Sequence, residues 1–440
     1  MKSTHTHIVL GLGVTGLSVV RYLCNQGIVP LVMDTREHPS GAAKLQDEFP
    51  TVPLKTGSFD VRLLIQANQI IISPGIAIDT PEVKAAIDVG IEVIGDIELF
   101  ARALKKQPPK VIGITGSNGK STVTTMVGEI AKAAGLTVAV GGNIGTPALD
   151  LLKLDADLYV LELSSFQLET TSTLNCIAAT CLNISADHMD RYDSINTYRD
   201  AKHRLYRQSK LCVINRQDSM TKPIEASNVI SFGLDVPESD DWGIANGQFV
   251  RGMSEIMPIT DAAAVGSHNQ SNILAAMALA EAADISRTAM IEVVQHFKGL
   301  AHRCEKVDEV GGVIYINDSK ATNVGATLAA LHGLKDELGD IILIAGGDAK
   351  GAVLKPLSEG LAFVSQLIVF GKDASSLAKL HNDTLVVNNM SEAVIKAAEC
   401  ADAGDIVLLS PACASLDMYK NFAERGNDFR QEVGRLHGNE

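Results

Sequence analysis

Lys120, Ser121 and Thr122 stand directly after a run of glycines at Gly113, Gly116 and Gly119, spaced three residues apart. A short apolar run from Val111 leads into them, and an amphipathic pattern follows to about Ala134, with Gly135 as its stop. A strand, a glycine-rich turn and a helix in that order wrap backbone N–H groups around a polyphosphate. The lysine then reaches the outer phosphates, and the first hydroxyl is placed to ligate Mg2+. The helix N-terminus adds about half a positive charge aimed at the anion. The spacing departs from the commonest phosphate loop, which would put glycine at Ile114. An ATP site built on Gly116, Asn118, Gly119, Lys120, Ser121 and Thr122 still explains the pattern better than a tight turn with a chance Gly-Lys-Ser.

Other reactive side chains fall at the ends of apolar runs. Glu162 follows Asp157–Leu161, and Asp187, His188 and Asp190 follow Ile177–Ile184. Open parallel sheets bind ligands at the carboxyl ends of their strands, and Mg2+ prefers oxygen ligands. Each residue alone would read as a solvated loop side chain. Sharing the strand-end face with a phosphate loop favours a ligand role for Glu162 and His188. Nearer the N-terminus, Gly11, Gly13 and Gly16 follow the apolar run His7–Leu10, and Asp34 ends the next run. That is the dinucleotide fingerprint, although a plain α/β turn with close packing would also use these glycines. Gln69–Ile72 runs into Ser73-Pro74-Gly75, and Thr80-Pro81 reads as N-cap and first helical position.

The elements that must position these groups alternate in an α/β rhythm. The first helix runs to about Gln26 and is stopped by Gly27. Residues 100–109, with Arg102, Lys105, Lys106, Pro108 and Pro109, read as a linker. Leu136–Val140, which leads into Gly141–Gly145, and Leu211–Ile214 add strands. The segment Asn196–Ser209 is helical and basic, and periodicity alone leaves Lys202 and His203 on a solvated face. From about Asn228 to Thr260 a small β insertion follows, and Gly266–Asn272 then caps an alanine-rich helix through Ala283. The rhythm restarts beyond Gly299–Arg303 with strands at 313–316, 341–344, 366–370 and 405–409. At ~150 residues per domain, 440 residues make about three. The expected segments are 1–97, 98–299 and 300–440: two Rossmann-like units flanking a central phosphate-loop sheet.

A net charge of −14 and 4% aromatic residues argue against a nucleic-acid surface. No apolar run approaches the ~18 residues of a membrane span, and the N-terminus has no signal-peptide core, so a cytoplasmic protein is expected. Seven scattered cysteines, none in a C-x-x-C pair, fit reduced thiols rather than a disulfide framework or structural zinc.

The stretches Gly11–Gly16, Ser73–Ile76, Thr115–Thr122, Gly141–Gly145, Leu161–Gln167, Asp187–Tyr192, Asn317–Asn323 and Ser410–Asp417 together resemble the Mur ligases, the ATP-dependent ligases of bacterial cell-wall precursor synthesis. The last two point to the glutamate-adding branch, and the Asp-Asn-Pro-Arg motif of the diaminopimelate-adding relative is absent. The match is loose in the β insertion and over residues 375–400.

The resemblance implies three substrates, UDP-N-acetylmuramoyl-L-alanine, D-glutamate and ATP, with Mg2+ and a monomeric enzyme. The N-terminal unit would hold UDP rather than NAD. Gly13, Val14, Thr15 and Gly16 would lie by the diphosphate, Asp34, Thr35 and Arg36 by the uridine end, and Ser73, Pro74 and Gly75 near the uracil. Asn143, Ser164 and His188 would line the muramoyl-alanine tail. Ser121, Glu162, His188 and Lys202 would serve the metals, with Lys202 at the family's carbamylated lysine; Lys120, His188 and Lys202 would be catalytic. Asn269, Asn272, Arg303 and Asp318 would hold adenosine, and Lys320, Thr322, Lys350, Ser415, Leu416 and Phe422 would surround D-glutamate.

A carboxylate is a poor electrophile, so the chemistry expected is phosphorylation to an acyl phosphate followed by attack of the amine. Closure of the domains that carry ATP and amino acid would exclude water. A sibling ligase for another amino acid is the nearest alternative. A nicotinamide oxidoreductase would use Gly11–Asp34 but leave the phosphate loop idle, and a nucleotide switch would leave the strand-end clusters unexplained.

Overall fold

A computed structural model describes residues 7–104, 110–225, 228–264, 266–334 and 339–437. Of the stretch 100–109 expected to be a linker, Lys105, Lys106, Pro108 and Pro109 lie outside them, whereas Phe100, Ala101 and Arg102 are in the helix Asp96–Ala103, with Phe100 and Ala101 buried. The strands are β1 His7–Leu10, β2 Leu31–Asp34, β3 Leu54–Thr56, β4 Gln69–Ile72 and β5 Glu92–Ile94, then β6 Lys110–Thr115, β7 Val138–Gly142, β8 Leu158–Glu162, β9 Ala178–Cys181 and β10 Cys212–Asn215. They continue with β11 Val229–Phe232, β12 Trp242–Ala245, β13 Gln248–Arg251, β14 Ser254–Pro258, β15 Glu305–Val310, β16 Val313–Asn317, β17 Ile341–Gly346, β18 Val364–Phe370, β19 Thr384–Val386 and β20 Ile406–Leu409.

The first sheet is parallel, in the order β3-β2-β1-β4-β5. Its direction of growth reverses at β1, which opens a crevice past the end of that strand, where Gly11–Gly16 sits. Ile8, Leu10, Ile70 and Ile72 are buried, as expected of strands covered on both faces and written as unbroken apolar runs. β3 and β5 have three residues each, β3 being mostly exposed and β5 burying only Ile94, so no apolar run announced them.

The second sheet runs β14-β13-β12-β11-β10-β9-β6-β8-β7. β6 lies between β8 and β9, so the phosphate loop leaves from the middle of the parallel part. The expected insertion is not a separate patch. β11 pairs in parallel with β10, and β12, β13 and β14 add an antiparallel edge to the same sheet. The third sheet runs β15-β16-β20-β17-β18-β19, parallel except for β15.

Two helix assignments need correction. The Gly266–Asn272 stretch does not precede its helix: the helix spans Ser267–Ala282 and already contains Asn269 and Asn272. The basic helix spans Ile195–His203, and it is not a solvated face. Tyr198 and Lys202 are each 2% exposed, and His203 is buried. A charge count cannot reveal this, because the segment's only apolar residues near Lys202 are Tyr198, Ala201 and Leu205.

The chain groups into two compact units. The first holds residues up to Asn183, Asn196–Ile259 and Ile273–Gln295; the second holds Ile184–Ile195, Thr260–Asn272 and the chain from His296. The first therefore contains two of the sheets and the second contains the third.

Candidate active site

In the first unit the phosphate loop closes on a helix that spans Lys120–Ala133, with Gly119 as N-cap at φ +81°. That left-handed backbone is open to glycine at little cost. Gly116 is also left-handed, at φ +144°, and a Cβ there would meet the Leu182 backbone nitrogen at 3.1 Å. Asn183, a polar residue within the apolar run Ile177–Ile184, clamps the loop. Its carbonyl accepts from Ser117 N at 2.9 Å, its Oδ1 from Asn118 N at 2.8 Å, and its Nδ2 donates to Asn118 O at 3.2 Å. Lys120 Nζ folds back onto the carbonyls of Gly116 and Ser117, at 2.9 and 2.7 Å. Lys202 Nζ donates to Gly116 O at 2.8 Å and lies 4.5 Å from the Tyr198 ring centroid. Ser121 and Thr122 are buried in the first helical turn.

Glu162 ends β8 with 3% exposure. Asn143 Nδ2 holds its Oε1 at 2.8 Å, while its Oε2 is buried with no hydrogen-bond partner. A buried carboxylate oxygen without a donor is costly unless a cation completes it. Ser164 begins the next helix through a capping box with Gln167.

A cavity of about 500 Å3 lies past the end of β1, lined by Gly13, Val14, Thr15, Asp34, Thr35, Arg36, Ser73, Pro74 and Gly75 together with Asn143 and Gln167. The structure thus brings together the residues of the first unit expected for the sugar nucleotide, apart from Gly16 and Ser164, which do not line it, while His188 belongs to the second unit. Gly16 packs instead: a Cβ there would stand 1.9 Å from Gly11 O. Asp34 is committed to the loop as well. Its Oδ2 accepts from Leu12 N at 2.7 Å, and Arg36 Nε donates to its Oδ1 at 2.9 Å. The Arg36 guanidinium, helped by these backbone donors, holds the Asp34 carboxyl down to about 2.

In the second unit His188 adopts φ 56°, with its Nε2 3.7 Å from Asp187 Oδ2. Asp187 is buried and its Oδ1 pairs with Lys350 Nζ at 2.7 Å, while Asn323 Nδ2 donates to Oδ2 at 3.3 Å. Asp318 follows β16, accepting from Ser410 Oγ at 2.9 Å and Cys304 N at 3.2 Å. Burial pushes its carboxyl up to about 7. Lys320 Nζ lies 4.3 Å from the Phe422 ring centroid. Ser415 is buried and Leu416 is 72% exposed. Thr322 N donates to Lys320 O at 2.8 Å, in the same turn.

Arg425 was not singled out from the sequence. It is 1% exposed and donates to Ser319 Oγ and O, Gly346 O and Cys413 O at 2.8 to 3.2 Å, tying together the loops after β16, β17 and β20. Nothing in a charged helix such as Phe422–Leu436 distinguishes it from Arg430 or Arg435, both of which pair at the surface. Among the described residues, no group of three or more His, Cys, Asp or Glu is placed to hold a metal. No described helix is long and apolar enough to cross a membrane.

Residues 5–95 match the family description "Mur ligase MurD-like, N-terminal domain", 114–280 "Mur ligase middle domain" and 302–413 "Mur ligase, glutamate ligase domain". The UDP-N-acetylmuramoylalanine–D-glutamate ligase of Shewanella oneidensis is 61% identical over 438 residues, covering 100% of both chains. The ligase of that name from Pseudomonas aeruginosa is 47% identical over 447 residues, with 99% of each chain covered. Among solved structures, the UDP-N-acetylmuramate-alanine ligase of Thermotoga maritima aligns with a TM-score of 0.60 at 17% identity, covering 99% of this chain and 100% of that one. The MurF ligase of Thermotoga maritima in complex with ADP gives 0.61 at 14%, covering 99% and 96%. These two likenesses are of fold. Three matching segments and end-to-end identity with relatives of one name lead to one assignment: the chain belongs to the Mur ligase family.

Proposed function

We infer that the chain is an ATP-dependent amide-bond ligase that adds D-glutamate to UDP-N-acetylmuramoyl-L-alanine in peptidoglycan precursor synthesis. The observation that carries this is the 61% identity, over the full length, to a ligase of that name. The glycine-rich loop before Lys120 and the 500 Å3 cavity past β1 support this reading as candidates for the two nucleotide sites such an enzyme needs. The domains would be segments 1–97, 98–299 and 300–440, working as a monomer in the cytoplasm where ATP and UDP-linked precursors are found.

The substrate carboxylate attacks the γ-phosphorus, the bond to the β-phosphate oxygen breaks, and ADP leaves. The D-glutamate amine then attacks the acyl carbon, loses a proton and expels phosphate. Both reactants in the first step are anions, so Lys120 and the Gly116–Lys120 backbone would offset their repulsion by fixed positive charge and dipoles. Mg2+, when bound, would add charge neutralisation between carboxylate and phosphate. The unpartnered Glu162 Oε2 fits that ion, with Ser121 as a further ligand, and His188 would serve a second metal. Lys202 would join them as a carbamate: its neutral amine adds to CO2 and loses a proton, replacing a +1 group by a −1 group. Asn269, Asn272, Arg303 and Asp318 would hold adenosine, and Lys320, Thr322, Lys350, Ser415, Leu416 and Phe422 the amino acid.

A heavy-oxygen label in the alanine carboxylate tests the route. One labelled oxygen should pass to the released phosphate; label retained wholly in the amide and water would eliminate the acyl phosphate.

A further inference from the structure

Asp96 opens the helix Asp96–Ala103 and is 1% exposed, yet no step above uses it. Its Oδ2 accepts a hydrogen bond from Gln167 Nε2 at 3.3 Å. Gln167 is 2% exposed and forms part of the wall of the 500 Å3 cavity beside Asn143. The two ends of a glutamine amide have nearly the same size, so packing alone does not decide which end points where. An ionised carboxylate only accepts, so it selects the NH2 end. Oε1 is thereby turned toward Ser164, where it accepts from N at 3.1 Å and from Oγ at 3.3 Å. Gln167 N in return donates to Ser164 Oγ at 3.2 Å. The Ser164 proton and one lone pair are then committed, which leaves its second lone pair for a donor on a ligand.

The backbone holds this arrangement in place. Gly95 N donates to Thr170 O at 3.3 Å, and a Cβ on Gly95 would stand 2.3 Å from Thr170 Oγ1. A side chain at position 95 would have to push the Thr170 hydroxyl aside, so glycine lets the segment carrying Asp96 seat closely against the end of the helix that carries Gln167. Burial pushes the Asp96 carboxyl up to about 6, so keeping it charged at neutral pH costs stability that an apolar residue would not.

We propose that Asp96 is a positioning residue for the sugar-nucleotide substrate: it fixes the Gln167 amide in the cavity wall and, through it, Ser164 just behind that wall, so that the wall is set to receive the muramoyl-alanine tail. This rests on the reading of the cavity as the UDP-sugar site. Calorimetric titration of UDP-N-acetylmuramoyl-L-alanine into the wild-type chain, Asp96→Ala, Gln167→Leu, the double variant and Asp96→Asn, with KM for ATP alongside, tests it. Each single loss should weaken sugar-nucleotide binding about tenfold, as an unsatisfied buried donor or acceptor does. The double variant should be no weaker than either single one. KM for ATP should stay within about twofold, and Asp96→Asn, which keeps one carbonyl acceptor, should recover most of the affinity.

Additive losses would overturn the proposal, as would unaltered affinity in Asp96→Ala or an equal loss for ATP with no recovery in Asp96→Asn. Should Asp96→Ala not fold, unaltered affinity in Gln167→Leu overturns it equally. Absence of binding to the wild-type chain would remove the substrate reading itself, and this proposal with it.

Discussion

Lys120 and Lys202 donate to the same acceptor, Gly116 O, at 2.9 and 2.8 Å. Two ammonium groups held on one carbonyl repel each other, and a strong anion beside them would offset that repulsion. The γ-phosphate provides one for Lys120. Lys120→Ala should therefore lower kcat by a factor of ~100 or more, about 3 kcal/mol of transition-state stabilisation. Binding of the UDP-sugar should hold, because that cavity is lined by other residues. Near-normal kcat in steady-state assays would remove the loop from the reaction.

Lys202 gives the sharper test, because its proposed carbamate reverses its charge. Lys202→Ala should be nearly inactive and regain activity with acetate or another short carboxylate at roughly millimolar concentration, which refills the anion beside the metal. Lys202→Arg should stay inactive in the same buffer, since a guanidinium keeps the wrong charge. Full activity of Lys202→Ala without added carboxylate would reduce this lysine to a packing residue over Tyr198.

Lys350, expected to hold a substrate carboxylate, is paired with Asp187. The pair is mostly shielded, at 21% and 10% side-chain exposure, so an incoming carboxylate must share or displace Asp187. Lys350→Ala should raise KM for D-glutamate by about tenfold or more, with KM for the UDP-sugar unchanged. A change confined to the ATP or UDP-sugar constants would move Lys350 out of the amino-acid site.

Asp318 makes stability depend on pH. Burial raises its carboxyl to about 7 in the folded chain, against ~3.9 when unfolded. Between those values the folded state carries a proton that the unfolded state lacks. The contribution is therefore greatest below about pH 4 and is lost as pH rises to about 7, by roughly 4 kcal/mol. Denaturant titrations of wild type and Asp318→Asn should show the wild type losing ground to the variant across that range. A constant difference between them would mean that Asp318 does not titrate there.

Much of this fold was legible because its main strands are apolar runs ending in glycine or polar residues, as Ile70–Ile72 into Ser73 and Ile341–Gly346 into Gly347. The strand, glycine turn and helix around Gly119 were legible for the same reason: the helix begins at Lys120 with Gly119 as its N-cap. What escaped depends on tertiary contact. Asp96, Asn183 and Arg425 look like ordinary polar residues, and each acquires its role from a partner tens of residues away: Gln167, Asn118 and Ser319. Burial of Lys202 likewise comes from packing that no charge pattern encodes.

Every role above depends on this chain joining D-glutamate to UDP-N-acetylmuramoyl-L-alanine. Phosphate release measured with that nucleotide, ATP and Mg2+ against a panel of D- and L-amino acids tests it most directly. Release should depend on the amino acid and favour D-glutamate over L-glutamate by a factor of ~10⁴, since a wrong ligand leaves buried polar groups unpaired. Release driven equally by another amino acid, or independent of any, would contradict it.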